Sequence, residues 1–455
     1  MEDCVMKTRM FSSTILFVFA FSLIAPENNS DAKKNWANWR GPFVNGVAPN
    51  GNPPIEWSES KNIKWKIEIP GKGHATPIVW GDQMFILTAV ETEKVGKTSE
   101  SKKDEDEGDR GGRRRMSGIE TDKIHKFVVL SVNKNNGKII WEKVVREELP
   151  HNSTHRFGSW ASNSPVTDGK HVYAYFGSRG LYCLDMNGNV KWERDFGDLE
   201  KARSFGEGSS PVLYKDKIFI LWDHEGESFL VALDKNTGRD IWNINRDEKT
   251  SWSSPFFVEC NGKPQMITSA TNQIRSHDPS DGTLIWHHTG LTRNVIPMPV
   301  SLNNMVYIMS GFRGAALFAI DLSKAKGDLT NSDAVVWQYN QDTPYTPSPL
   351  LMKNKLYFLK NNNGLLTCLN AKDGHAFYST EKLEGIGSIF TSPVGVSDRI
   401  YILGVKGLTY VVKEGDKFEV LAKNKLDDNF EASPVIIDNN LYLRGYKFLY
   451  CIADE

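Results

Sequence analysis

Short apolar stretches alternate with compact polar turns along almost the whole chain. Residues 229–242, FLVALDKNTGRDIW, show the unit. FLVAL reads as a strand. Asp234 and Thr237 are placed to bond backbone groups of a turn, and Gly238 takes positive φ at no steric cost. The chain then reverses into Ile241 and Trp242, so the segment predicts a hairpin. Copies lie at 131–141 (SVNKNNGKIIW), 184–192 (LDMNGNVKW), 277–286 (HDPSDGTLIW) and 369–378 (LNAKDGHAFY), the last with Tyr378 in the tryptophan slot. Residues 320–337 repeat it with a longer loop. Gly137, Gly188, Gly238, Gly282 and Gly374 each precede the aromatic by four residues.

A second marker follows each aromatic: a small or polar residue, then proline, then an apolar strand. These prolines are Pro77, Pro165, Pro211, Pro255, Pro299, Pro349, Pro393 and Pro434, and after the first interval they stand 41 to 50 residues apart. That is the period of four-stranded propeller blades. The count predicts an all-β, eight-bladed β-propeller over residues 63–455. Seven blades is the alternative, because residues 394–421 lack a clear aromatic in the tryptophan slot. Residues 63–69, IKWKIEI, alternate as an outer strand, whereas the segment after Pro434 supplies three strands and no outer one. The first is expected to complete the last blade and close the ring, which removes free sheet edges. Trp65, Trp141, Trp192, Trp242, Trp286 and Trp337, six of thirteen tryptophans, fill the repeat slot and are expected to pack between blades.

Three segments fall outside the repeat. Residues 6–9 are basic and 11–25 apolar, followed by polar PENNSDA. This reads as a signal peptide over 1–25, with cleavage as late as 32 and Met6 as an alternative start, too short for a typical membrane span. No cysteine ends the apolar run, so the expectation is a periplasmic or secreted protein without a lipid anchor or a transmembrane segment in its mature form. Residues 33–62 are rich in Gly, Pro and Asn and are expected to lie over the propeller rim, held by Trp36, Trp39 and Trp57. Residues 91–123 mix charges of both signs with few apolar residues, and are expected to form a disordered loop.

The formal net charge is −1, which provides no global field for nucleic acid or a membrane surface. Of five cysteines, Cys183, Cys368 and Cys451 occupy equivalent strands of different blades, too far apart to bridge. Cys4 lies in the leader and Cys260 stands alone.

In a propeller the segments entering the inner strands share one face with the turns between second and third strands. The entering segments carry His74, Trp160, Glu207, Trp252, Ile296, Tyr345, Phe390 and Phe430, which are expected to ring the central mouth. The turns carry Arg179, Arg275, Arg313, Lys406 and Arg444. An aromatic ring with basic residues outside it reads as a surface for a protein or glycan partner. His151, His155, Asp223 and His224 are a candidate metal set, since imidazole and carboxylate suit several metals. No G-x-S-x-G turn is present.

The pattern A-x-D-x-x-T-G-x-x-x-W at 232–242 resembles the tryptophan-docking repeat of PQQ-like propellers. That family includes PQQ-dependent alcohol dehydrogenases and non-enzymatic, BamB-like assembly lipoproteins. The start NWANWRGPFVNGVAP, with the later IEW and NIKWKIEIPGKGHATPIVWGDQMFI, is similar to secreted PQQ-like repeat proteins of planctomycete-type bacteria. The resemblance implies the fold, which does not carry activity with it. The dehydrogenases hold PQQ over calcium, using an aspartate base, acidic and amide ligands, a tryptophan floor and a disulfide between adjacent cysteines. Here no cysteines are adjacent, and no aspartate base or calcium ligand set can be matched. The expected function is therefore an exported, non-catalytic scaffold for a protein or polysaccharide partner of the cell envelope, with no cofactor. One alternative is a PQQ- and Ca²⁺-dependent oxidoreductase with Trp160 or Trp252 as the stacking floor. The other is a metal-dependent hydrolase or lyase built on the histidine set.

Overall fold

The computed structural model describes residues 34–96 and 118–454. The signal-peptide reading and the middle of the charged insertion fall outside the described residues. Eight antiparallel sheets of four consecutive positions follow one another, so the ring has eight blades. In the first blade Ile78–Trp80, Gln83–Val95, Lys123–Asn133 and Ile139–Glu148 pair in that order from the channel outward. The seventh has a full outer strand, Val420–Lys425, with no tryptophan in it. The eighth takes Val435–Ile437, Asn440–Arg444 and Phe448–Ile452 from the end of the chain and Ile63–Glu68 from its start, with Trp65 opposite Cys451. Burial follows position: Arg399–Leu403 is buried throughout, whereas Ile63–Glu68 alternates between half-buried and exposed.

Two sets of contacts join neighbouring blades, and each repeats a sequence marker. The outer set is the tryptophan docking. Trp192 lies on Gly238 of the next blade and its Nε1 donates to the Lys235 carbonyl at 3.0 Å. Trp65, Trp141, Trp242 and Trp337 repeat this on Gly137, Gly188, Gly282 and Gly374. A Cβ at Gly238 would meet the Trp192 ring at 2.6 Å. Asp234 builds the turn beneath, accepting from the backbone N–H groups of Asn236 and Thr237. Trp286 departs from the pattern: it is fully buried and donates to Gln265 Oε1 at 2.8 Å. The longer loop of the next hairpin is the reason, for its Gly327–Asp328 adds a fifth, parallel strand over the outer strand that carries Trp286.

The inner set is a girdle of hydrogen bonds at the residue before each repeat proline. The N–H of Thr76 donates to Ser164 Oγ (2.9 Å), Ser164 to Ser210 (2.9 Å) and Ser210 to Ser254 (2.8 Å). Met298 donates to Ser348 (2.9 Å), Ser348 to Ser392 (2.9 Å), Ser392 to Ser433 (3.0 Å), and Ser433 closes the circle on Thr76 (3.1 Å). The step from Ser254 is missing because its counterpart, Met298, has no hydroxyl. Apart from Ser254, each of these N–H groups thus finds a partner in the next blade, which explains the small polar residue before seven of the eight prolines.

Residues 34–48 do not lie over the rim, as expected from sequence, but plug the channel. Residues 51–57 run out over the seventh and eighth blades, where Trp57 stacks on Tyr401 and its backbone N–H donates to Asn424 Oδ1 at 2.8 Å. Trp36 exchanges two 2.9 Å backbone hydrogen bonds with Val79 in the inner strand of the first blade. Thr167, in the inner strand of the second, donates to the Ala37 carbonyl at 3.0 Å. Trp39 and Val44 pack on the core shared by the fourth and fifth blades. Val47–Ala48 pairs in parallel with Val394–Val396, the inner strand of the seventh. Arg40 is fully buried and donates to the carbonyls of Pro349 (2.6 Å), Asn45 (3.1 Å) and Pro393 (3.2 Å). Burial without a carboxylate lowers its pKa to about 9. Glycine- and asparagine-rich chain suits this position, because a segment crossing the channel must turn tightly and bond inner-strand backbone. The plug fills the end opposite the mouth, where Asn52 reaches Asn439 and Pro53 accepts from Arg399.

The charged insertion begins later than expected. Glu91 and Val95 pair with His125 and Lys123, so the first flank belongs to the sheet, while Ile119 makes an isolated bridge to Thr154.

Candidate functional site at the channel mouth

The mouth opposite the plug holds a cavity of about 420 Å³. Position −3 from every repeat proline lines it: His74, Ser162, Gly208, Trp252, Ile296, Thr346, Phe390 and Glu431. One register, repeated by the fold's symmetry, therefore presents one side chain per blade. Glu207 and Tyr345, at −4, add to the wall, as do His155, Phe157 and Phe205 from the segments entering the second and third blades. Of the side chains expected at the mouth, His74, Glu207, Trp252, Ile296, Tyr345 and Phe390 come together. Trp160 and Phe430 do not. Trp160, at −5, turns away to donate to the Asn152 carbonyl and lie against His125. Phe430 is fully buried against Tyr450 and leaves the mouth to its neighbour Glu431. A fixed count back from each proline finds Glu431, whereas a search for aromatics selects Phe430.

The polar part of the wall is a hydrogen-bonded set. His74 Nδ1 lies 3.0 Å from Glu431 Oε2, with the two side chains 7% and 4% exposed. Tyr446 donates to Glu431 Oε1 at 2.6 Å and stacks on the His74 ring at 5.0 Å. A carboxylate can only accept, so the His74 proton sits on Nδ1. Nε2 is then an acceptor, and it is buried without a hydrogen-bond partner. Burial lowers the His74 pKa, against the pull of Glu431. Glu207 accepts from Ser178 N–H (2.8 Å) and Oγ (2.5 Å). A Cβ at Gly177 would lie 1.1 Å from Glu207 Oε2, so glycine there admits the carboxylate. Burial raises the Glu207 pKa.

The expected basic surround is only partly a surface. Arg444 is buried, donating to the Leu87 carbonyl at 2.8 Å. Arg179 is held by the Leu149 carbonyl and Asp198, and Arg275 by Glu248. Arg313 and Lys406 remain exposed.

The candidate metal set does not converge. Asp223 is taken by Arg246 in a buried two-point pair (2.7 and 3.2 Å) and by Ser251. His224 uses both ring nitrogens, on Glu200 N–H and the Glu227 carbonyl. His151 faces Asp198 at 3.3 Å, while His155 packs between Phe157 and Phe205. Among the described residues no three His, Cys, Asp or Glu side chains are grouped to hold a metal ion.

A family profile described as "Outer membrane protein assembly factor BamB" matches residues 125–380 and 226–452. The chain belongs to the BamB-like PQQ-repeat propeller family. A BamB-like relative, the outer membrane protein assembly factor BamB of Yersinia pestis, is 20% identical over 332 residues, covering 70% of this chain and 78% of its own. The solved structure of BamB from Moraxella catarrhalis shares 13% identity with a TM-score of 0.53, covering 81% of this chain and 98% of that one. A quinohemoprotein alcohol dehydrogenase from Comamonas testosteroni shares 10% identity with a TM-score of 0.59, covering 94% and 82%. At such identities the solved structures share the fold alone. Among the described residues of this BamB-like chain, no helix is long and apolar enough to cross a membrane.

Proposed function

We propose that this BamB-like propeller is a non-catalytic, exported scaffold of the cell envelope that holds a partner protein in the channel mouth. The observation that carries the reading is the socket itself. It is walled by Phe157, Phe205, Trp252, Tyr345 and Phe390. Its volume is in the range of ligand pockets, and clustered aromatics are the residue type that anchors protein interfaces. The apolar stretch at 11–25 supports export, which N-terminal sequencing of the mature protein tests. For binding, the test is in-cell crosslinking and mass spectrometry on the wild type and on a Trp252→Ala, Tyr345→Ala, Phe390→Ala variant that retains the native thermal transition. Loss of the wild type's crosslinked partners is expected. An identical partner set would overturn the reading, and a polysaccharide as the only adduct would move it to a glycan scaffold.

The shared fold of the alcohol dehydrogenases motivates a second reading, a PQQ- and Ca²⁺-dependent oxidoreductase. The wall suits it poorly. Two carboxylates face into the cavity where the quinone's own carboxylates would need cations, and the described cysteines are four separate thiols. Titration with PQQ and Ca²⁺, followed by tryptophan fluorescence, decides between the two. Saturable quenching near one equivalent would establish the quinone reading.

A further inference from the structure

Buried acids elsewhere in the ring are matched by cations or, at Asp428, by a set of backbone N–H groups. Asp223 meets Arg246, Glu248 meets Arg275, and Glu414 meets Lys355. Glu207 and Glu431 break this rule. Among the described residues, no lysine or arginine nitrogen lies within ion-pair distance of either, and their hydrogen bonds come from neutral donors, Ser178, His74 and Tyr446. Buried carboxylates are normally paired, because desolvating a lone charge is costly. These two share one cavity, where the unpartnered nitrogen of His74 adds a further acceptor.

The rest of the wall fits the same kind of guest. Aromatic faces attract cations, and most strongly when both are shielded from water. Two lining aromatics already carry such a contact: the guanidinium of Arg156 lies 4.5 Å from the Phe157 ring centroid, and the buried ammonium of Lys201 lies 5.8 Å from that of Trp252. Arg156 reaches neither acid. The wall therefore offers acceptors and π faces to a ligand that brings donors and positive charge. A neutral sugar would leave both carboxylates without an ion pair, and an anion would be repelled by them.

We propose that the mouth of this propeller receives a basic side chain, arginine above lysine, projected by a loop of the partner protein, with Glu207 and Glu431 as its counter-charges and Trp252 and Tyr345 as its walls. Arginine is favoured because its planar fork can bond two carboxylates while its faces stack on aromatic rings. This rests on the scaffold reading above and specifies what the socket grips.

The full mature chain is titrated calorimetrically with N-acetyl-arginine methylamide, its uncharged isostere N-acetyl-citrulline methylamide, and cellohexaose. Saturable binding of the arginine amide is expected, with the citrulline amide at least about tenfold weaker, since the charge-assisted bonds are lost. Glu207→Gln and Glu431→Gln keep hydrogen-bonding capacity and volume. Each is expected to weaken the arginine amide about tenfold with an unchanged thermal midpoint. Equal binding of both amides, unchanged affinity in both variants, or preference for cellohexaose would overturn the proposal. In cells, the arginine amide is expected to displace the crosslinked partner and the citrulline amide to leave it. Failure of that displacement would show that the partner does not supply the side chain. None of these outcomes alters the aromatic-variant crosslinking result, so the basic ligand can fail while the scaffold reading stands.

Discussion

Phe157 and Phe390 meet across the mouth with their ring centroids 5.1 Å apart, one entering the second blade and the other the seventh. The contact pins the 151–158 loop over the socket. An aromatic pair is worth about 0.5–1.5 kcal/mol beyond its buried area, enough to order a loop and little against the whole ring. Phe157→Ala is therefore expected to speed tryptic cleavage after the exposed Arg156 several-fold while moving the thermal midpoint only slightly. An unchanged cleavage rate would show that the pair does not hold the loop.

Arg40 fastens the plug through three carbonyls. Arg40→Met keeps most of the volume and strands those acceptors, at a cost of about 2–4 kcal/mol given about 1–3 kcal/mol for a buried unsatisfied group. Hydrogen exchange should rise at residues 36–48 ahead of the blades. Protection equal to wild type would mean that backbone pairing alone secures the plug.

Gly238 has a φ of 70° and lies under Trp192. Gly238→Ala combines a strained conformation with a collision at the ring, so a loss of about 1–3 kcal/mol is expected in chemical denaturation. Gly262 also has positive φ but nothing within 4 Å of a built Cβ. Gly262→Ala should retain the backbone penalty alone, and equal losses at the two sites would remove packing from the account.

The girdle offers a cleaner measurement. Ser392→Ala deletes the hydroxyl that accepts from Ser348 at 2.9 Å and leaves that N–H buried, so about 1–3 kcal/mol should be lost. The hydroxyl of Ser60, exposed at the chain surface, serves as the control, and Ser60→Ala should be near neutral. Similar losses would mean that the circle of bonds adds nothing beyond local turns.

His277 is 4% exposed, with Nδ1 3.0 Å from the Gly282 carbonyl. Burial lowers its pKa from 6.5 to about 4. Between those values the unfolded chain binds a proton that the native state excludes. Stability therefore falls as the pH drops through this window, by up to about 1.4 kcal/mol per pH unit, and the contribution is whole above it. His277→Asn should flatten the dependence between pH 6.5 and 5 in urea titrations. Parallel slopes would place the acid sensitivity on another group.

What the chain discloses before folding depends on how local the cause is. Turn glycine and docking tryptophan lie four residues apart in one hairpin, so their spacing exposes blade count and ring closure. Trp286 escaped because its cover, Gly327–Asp328, comes from a loop inside the next blade. The plug escaped for a similar reason: nothing near Arg40 indicates that its guanidinium ends on Pro349 and Pro393. At the mouth, the aromatic content was legible and the register only partly so, hence Phe430 where the structure presents Glu431. The pairing of buried acids such as Asp223 with Arg246 is made by the sheet, not by sequence proximity, which is why the histidine set looked like a site.

The plug also orders events in time. Residues 34–68 are among the first to leave the ribosome, yet their partners are spread from Val79 to Ile452. Part of this segment therefore waits for blades that come much later in the chain. The strand that Ile63–Glu68 must meet to shut the ring, Phe448–Ile452, follows it by about 380 residues. Closure of the ring is thereby tied to the arrival of residues 448–452, and a chain that stops before them is left with an open seam.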